Sequence, residues 1–254
     1  MSAPEVIVIT SPGSQRQQLA VQHLQGRGLV PKISPAVFIE GEVSACRHYN
    51  EAQRNFVLGY DMTKGEVGCF LAHRQAWELT VQLGVNCLIL EDDARLDPSL
   101  PALLPQISAT IQDTNFIIRL YSFRHPKGKL WHAINETVFI TRPLIAGSSA
   151  VAYLLTPKAA QALIAASETF WLAVDEYMDD EMAHGCAIMQ VTPELIYHED
   201  GGASLIGSRT KPKLKFWAKI RREALRIIKN IRQAIHREGV LWKLGIRFRK
   251  SIRS

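Results

Sequence analysis

Cysteine is sparse in this chain: Cys46, Cys69, Cys87 and Cys186 are scattered through 254 residues, with no Cys-x-x-Cys pair and no histidine cluster near them. That spacing suggests neither a zinc site nor a dithiol redox motif, and four free thiols suit a reducing compartment. Long apolar runs are missing too. Near the N-terminus only Val6-Ile7-Val8-Ile9 is continuously apolar, far short of a signal-peptide core or of the roughly 20 residues a spanning helix needs, so the body is expected on the cytoplasmic side. There is no Gly-x-x-x-x-Gly-Lys loop and no Asp-x-Asp nucleophile pattern, which argues against a metal-dependent phosphohydrolase. Acids are nearly absent from one region. Residues 211–254 hold 15 of the 30 Lys and Arg but only Glu223 and Glu238 of the 24 acids, which leaves residues 1–210 with 15 basic and 22 acidic side chains. The net charge of +6 averages two unlike objects, an expected domain at 1–208 and a basic tail at 209–254.

The chain is organised around Cys87-Leu88-Ile89-Leu90 and the three carboxylates that end the run, Glu91-Asp92-Asp93. Four apolar residues after Gly84-Val85-Asn86 are too few for a helix and predict a buried strand. In open α/β sheets, ligands collect beyond the carboxyl ends of the strands. Adjacent carboxylates repel one another unless a cation or a basic side chain compensates them, and Mg2+ or Mn2+ would do so while bridging to phosphate oxygens. The plain alternative is three acids that cap the next helix or face water.

On either side of this stretch strands and helices alternate. Val6–Ile9 reads as a strand, Arg16–Gln25 as an amphipathic helix, and Val30–Glu40 as a strand interrupted by Pro31 and Pro35, while residues 41–60 show no period. Thr63-Lys64-Gly65-Glu66 has the form of a capping box ahead of a long helix that stops at Gly84. Gly68 inside that helix costs about 1 kcal/mol relative to Ala and predicts a close approach of another backbone or of a ligand. His73 lies on nearly the same face as Glu66; a buried histidine on a helix is more often a hydrogen-bonded core residue than a catalyst. Later segments predict a helix over Pro98–Ile111, strands at Phe116–Leu120, Val138–Thr141, Ala150–Leu155 and Ile188–Val191, and a helix with Pro157 at its first position. A second acidic concentration runs from Asp175 to Glu181, and residues 197–204 read as a polar loop. This order predicts an α/β domain with a largely parallel sheet.

Lys64-Gly65-Glu66-Val67-Gly68-Cys69 with Ala72-His73, followed about twenty residues on by Leu90-Glu91-Asp92-Asp93, resembles glycosyltransferase family 25, the bacterial lipooligosaccharide and lipopolysaccharide sugar transferases and their collagen-galactosylating relatives. Arg16, Gly147 through Tyr153, Pro157-Lys158-Ala159-Ala160, Val174-Asp175-Glu176 and Ala203–Ile206 match in order; Thr10-Ser11, Ala72 and His198 depart from the usual pattern. The resemblance implies a GT-A-like fold with a mostly parallel central sheet, a UDP-sugar donor, Mn2+ or Mg2+, and inverting transfer of a hexose, galactose or glucose, to a saccharide or glycolipid acceptor in lipooligosaccharide or other cell-surface glycan synthesis. On that reading Asp93, Glu91 and His198 hold the metal, and Thr10, Arg16, Gly65, Glu66, His73, Glu91 and Asp92 surround the donor. Asp175 is the base, with Glu176 and Asp180 as alternatives.

The tail adds a partner. Leu214, Trp217, Ile220, Ala224, Ile227, Ile228, Ile231 and Ile235 recur at helical steps among Lys and Arg, which predicts an interfacial amphipathic helix on an anionic membrane surface, with Trp217 and Trp242 at headgroup level. The enzyme is thereby expected as a peripheral protein on the inner face of the membrane. Nucleic acid would use the same charges but has less need of the continuous apolar stripe; a nucleic-acid-binding protein is the competing non-enzymatic reading.

Overall fold

A computed structural model describes residues 3–145, 147–198 and 216–243. In chain order it contains β1 (Glu5–Thr10), α1 (Gln15–Gln25), β2 (Pro31–Pro35), a 3-10 turn (Val43–Ala45), α2 (Glu51–Leu58), α3 (Lys64–Leu83), β3 (Cys87–Glu91), β4 (Ala94–Leu96) and α4 (Leu100–Ala109). There follow β5 (Phe116–Arg119), β6 (Gly128–Ala133), β7 (Phe139–Pro143), β8 (Ala152–Leu155), α5 (Pro157–Ala166), α6 (Val174–Met178), α7 (Glu181–His184), β9 (Ala187–Thr192), β10 (Ile196–His198) and α8 (Phe216–Lys243). The Ala203–Ile206 motif and Leu214 lie outside the described residues.

Eight strands form one sheet in the order β2-β1-β3-β8-β5-β9-β7-β6, and β10 pairs with β4 in a small separate ribbon. β1 is parallel to β2 and β3, and β5 to β9, whereas β8 and β7 run against their neighbours, so six of the eight strands point one way. This is the expected α/β arrangement with a mostly parallel sheet, with two reversed strands that alternation in the sequence does not reveal. Side-chain parity fills both faces. Ile7, Ile9, Cys87 and Ile89 meet α3, α5 and α6 on one face, while Val6, Val8, Leu88 and Leu90 meet α1 and α4 on the other.

The capping box forms as the sequence predicts: the Glu66 amide donates to Thr63 Oγ1, and the Thr63 amide donates to Glu66 Oε2 at 2.8 Å. Gly84 ends α3 in the left-handed conformation at φ 66°. Gly68 is the close approach expected of it, since a Cβ there would lie 2.2 Å from the carbonyl oxygen of Val37. Residues 41–60, left without a period, contain α2, opened by Asn50 accepting from the Gln53 amide and closed by Gly59 at φ 82°. Tyr197 and His198, expected in a loop, belong to β10.

α8 packs on the body, but not through its isoleucines. Lys229 pairs with Asp180, Gln233 donates to the Asp179 carbonyl, and Arg237 is buried against Glu181. Ile220, Ile227, Ile228, Ile231 and Ile235 all face outward. Among the described residues no helix is long and apolar enough to cross a membrane.

Candidate active site

Strand parity splits the acidic triplet. Glu91, in phase with Ile89, emerges on the α3 face, and its Oε1 lies 3.4 Å from His73 Nε2. Asp92 is in phase with Leu90 and turns to the opposite face, where it is buried, accepts the Thr10 hydroxyl at 2.7 Å and pairs with Arg16. Asp93 returns toward the open side, 25 % exposed, with its Oδ2 3.0 Å from Arg16 Nη2. Arg16 is thus the basic side chain that compensates the triplet. Thr10, only 1 % exposed, spends its hydroxyl on Asp92, so both serve to hold the turn from beneath.

α3 supplies the wall opposite. Cys69 and His73 are four residues apart and therefore share a face one turn apart. His73 is fully buried; its Nδ1 is 2.9 Å from the Tyr153 hydroxyl, which also accepts from Trp77 Nε1 at 2.8 Å. Those two contacts orient the ring so that Nε2 faces Glu91. Cys69 keeps a little solvent exposure, yet its surroundings are dense enough that burial pushes its thiol well above the usual range, and the charges of Glu91, Asp175, Glu66 and Asp93 push it further. Carboxylates from α3, the β3 end and α6 therefore all act electrostatically on the Cys69 thiol. Gly65 lies in the first turn of α3, half-buried, beside the capping box.

α6 is held there by aromatic packing and by its C-terminal neighbours. Phe70 of α3 stacks on Phe170 at 3.8 Å between centroids, and Tyr177 packs on Phe70 and Trp77. Beyond the helix, Asp179 accepts from Arg119 at the end of β5 and from the Ser148 hydroxyl at 2.7 Å. Of the acids proposed from sequence as bases, Glu176 lies 3.3 Å from Arg54, itself buried and also bonded to the Trp171 carbonyl, and Asp180 pairs with Lys229. Asp175 is the member whose charge acts on Cys69. His198 enters by register: β10 sets it opposite Ala94, the residue after Asp93.

Sequence reasoning missed Tyr153, Trp77 and Arg54 as parts of this site. Apolar periodicity explains the first two as core, and Arg54 lies in the segment that had no readable period. The signal that could have found α2 was Asn50 and Gly59 bracketing an eight-residue helix. A surface groove of about 610 Å3, lined by Pro4, Asn86, Ser108, Gln112 and Lys158 among others, lies at the amino-terminal edge of the sheet, away from the acids.

The family profile described as "Glycosyltransferase family 25 (LPS biosynthesis protein)" matches residues 13–178. A "Glycosyltransferase 25 family member" of Drosophila pseudoobscura pseudoobscura is 37% identical over 92 residues, which is 33% of this chain and 14% of that protein. One from Anopheles gambiae is 33% identical over 93 residues, 34% of this chain and 15% of that protein. The human "Inactive glycosyltransferase 25 family member 3" is 38% identical over 55 residues, 21% of this chain and 9% of that protein. The chain thus spans about a seventh or less of the length of these relatives. Among solved structures, a mutant Drosophila β-1,4-galactosyltransferase 7 in complex with manganese, UDP-Gal and xylobiose aligns loosely, with a TM-score of 0.39 and 10% identity over 86% of this chain and 79% of that one.

Proposed function

The chain belongs to glycosyltransferase family 25, and from that premise we propose that it is an inverting transferase that moves a hexose from a UDP-sugar to a saccharide acceptor at the carboxyl edge of the sheet. The observation that carries this reading is the acidic edge at the end of β3, where Glu91 stands 3.4 Å from His73 and Asp93, a quarter exposed, stands 3.0 Å from Arg16. Asp93 and Glu91 are part-exposed oxygen donors, a set that fits Mn2+ or Mg2+, with His198 one register position away. Bound there, such an ion would neutralise charge developing on the departing diphosphate.

The chain's own groups do the rest. Arg16, 35 % exposed, keeps Asp92 and Asp93 in place and offers its outer edge to a phosphate. Asp175 receives the proton of the acceptor hydroxyl as the new glycosidic bond forms on the face opposite the leaving group. Glu176, tied to Arg54, positions the helix that carries Asp175. His73, oriented by Tyr153, holds the Glu91 carboxylate. The test is a panel of UDP-hexoses with a soluble saccharide acceptor, reading UDP release with and without Mn2+. Release that depends on acceptor and Mn2+ is expected; none with any donor would overturn the reading.

We further infer that α8 rests on an anionic lipid surface at the cytoplasmic face and brings the enzyme to a lipid-linked acceptor. Its docking face is polar and its isoleucine face is outward, flanked by Lys219, Arg226 and Arg232. Each basic residue near such a surface contributes about 1 kcal/mol. Co-sedimentation with anionic vesicles should be lost when Ile227, Ile228, Ile231 and Ile235 are changed to Ser, with the Arg237 contact kept. Equal sedimentation of both forms would remove the membrane from the account and return the tail to the nucleic-acid reading.

A further inference from the structure

Cys69, His73 and Glu91 bring a sulfur, an imidazole nitrogen and a carboxylate oxygen within 4.8 Å of one another. Two come from successive turns of α3 and the third from the end of β3. No local spacing in the sequence signals the group, because the third ligand arrives through the fold. We propose that these three side chains form a binding site for a thiophilic divalent cation of the Zn2+ class, distinct in ligand chemistry from the oxygen donors that suit Mn2+.

Three observations carry this. In tetrahedral zinc sites bonds of about 2.0–2.3 Å set ligand atoms roughly 3.5 Å apart; His73 Nε2 and Glu91 Oε1 already stand at 3.4 Å, and the Cys69 sulfur lies within 4.8 Å of both. The second contact of the imidazole is in place, since Tyr153 holds Nδ1 at 2.9 Å and leaves Nε2 turned toward the other ligands, the outer-shell arrangement that orients metal-binding histidines. The surroundings favour a dication: besides Glu91, the carboxylates of Asp175, Glu66 and Asp93 all act on Cys69. Sulfur and imidazole select the ion, because such ligands prefer Zn2+ to Mn2+ at comparable geometry. On binding, the Cys69 S–H proton is released to solvent, the His73 proton moves from Nε2 to Nδ1, where it faces the Tyr153 oxygen, and the thiolate, the Nε2 lone pair and Glu91 take three positions, leaving the fourth to water. Glu91 then cannot serve a hard ion at Asp93, so Zn2+ should oppose Mn2+-supported turnover; that consequence alone rests on the transferase reading.

The experiment does not depend on activity. Co2+, which replaces Zn2+ and reports sulfur ligation by thiolate-to-cobalt charge-transfer absorption in the near ultraviolet, is titrated into the full-length chain. A band should appear, be abolished by excess Zn2+, persist in Cys46→Ser, the control at the other part-exposed thiol, and vanish in Cys69→Ser. Absence of the band, or its survival in Cys69→Ser, overturns the site. If Cys69→Ser does not fold, X-ray absorption of the Zn2+-loaded Cys46→Ser chain decides: a shell with one sulfur and one imidazole is expected, and a shell of oxygen and nitrogen alone overturns the site.

Discussion

Two acidic triplets of the same length stand in this sequence, Glu91-Asp92-Asp93 and Asp179-Asp180-Glu181, and the fold treats them in opposite ways. Among the described residues, the second meets a cation at every carboxylate. Arg119 takes Asp179, Lys229 takes Asp180, and Arg142 and Arg237 close on Glu181 from two sides. The first meets Arg16 on Asp92 and Asp93 and His73 on Glu91, and two of its three members remain about a quarter exposed. A run of acids becomes a structural clasp when the fold delivers bases to match it, and a candidate ligand site when it delivers too few. Composition is blind to the difference, because the matching bases come from 39 or more residues away in the chain.

The comparison can be broken from either side. The largest effect is expected between the triplets, at Asp175. Asp175→Asn should lower kcat on the order of 100- to 10,000-fold, the usual yield of a general base, while donor still binds. Lost donor affinity with intact turnover of what binds would move Asp175 into the donor site. Next comes the open triplet. Asp93→Ala should cost roughly 100- to 1,000-fold in turnover, the scale of a lost electrostatic stabiliser, with an unchanged melting temperature, since Asp92 retains Arg16. A folded Asp93→Ala enzyme with wild-type turnover, or full activity in EDTA, would remove it from the site.

Glu181→Gln tests the clasp and should do the reverse. It leaves Arg142 and Arg237 buried without their shared anion, a loss of about 3–5 kcal/mol, which calorimetry should register as a fall in Tm on the order of 10 °C. An unchanged Tm would mean that the clasp is ornamental. The smallest effect is a pH dependence beside it. Burial holds His184 below its ordinary pKa of 6.5, and its neutral form is fully used, with Nε2 donating to the Met178 carbonyl and Nδ1 accepting the Cys186 amide. The unfolded chain therefore takes up this proton first, so stability is present above pH 6.5 and is lost as pH falls below it, by up to about 1.4 kcal/mol per unit. Urea midpoints at about pH 7.5 and 5.5 should differ in wild type and differ less in His184→Asn.

Much of the framework around the candidate site could be read in advance because it is built from local rules. A capping box fixed where α3 begins, an apolar run ending in acids marked β3, and Gly68 announced a neighbour within van der Waals reach. What escaped is nonlocal. The hairpin of β6 and β7 has an outer strand that is nowhere buried, so it shows no alternation to detect. The reversal of β8 depends on its partners, and the ribbon of β4 with β10 joins three-residue pieces a hundred positions apart. The engagement of Glu176 with Arg54 spans 122 residues, which is why the sequence left Glu176 standing as an alternative to Asp175.

The docking of α8 carries a geometric corollary. Arg237 reaches past the α7 helix to the carbonyls of Leu144 and Asp179 as well as to Glu181, so the tail helix is bolted to the segment that follows α6. A protein that lies on a surface by the outer face of such a helix has a set height and tilt. On the proposed membrane reading, Asp175, the proposed base, would work at one altitude above the lipid, and an acceptor would be selected by its reach: a sugar too close to its anchor, or carried too far beyond it, would pass under or over the base.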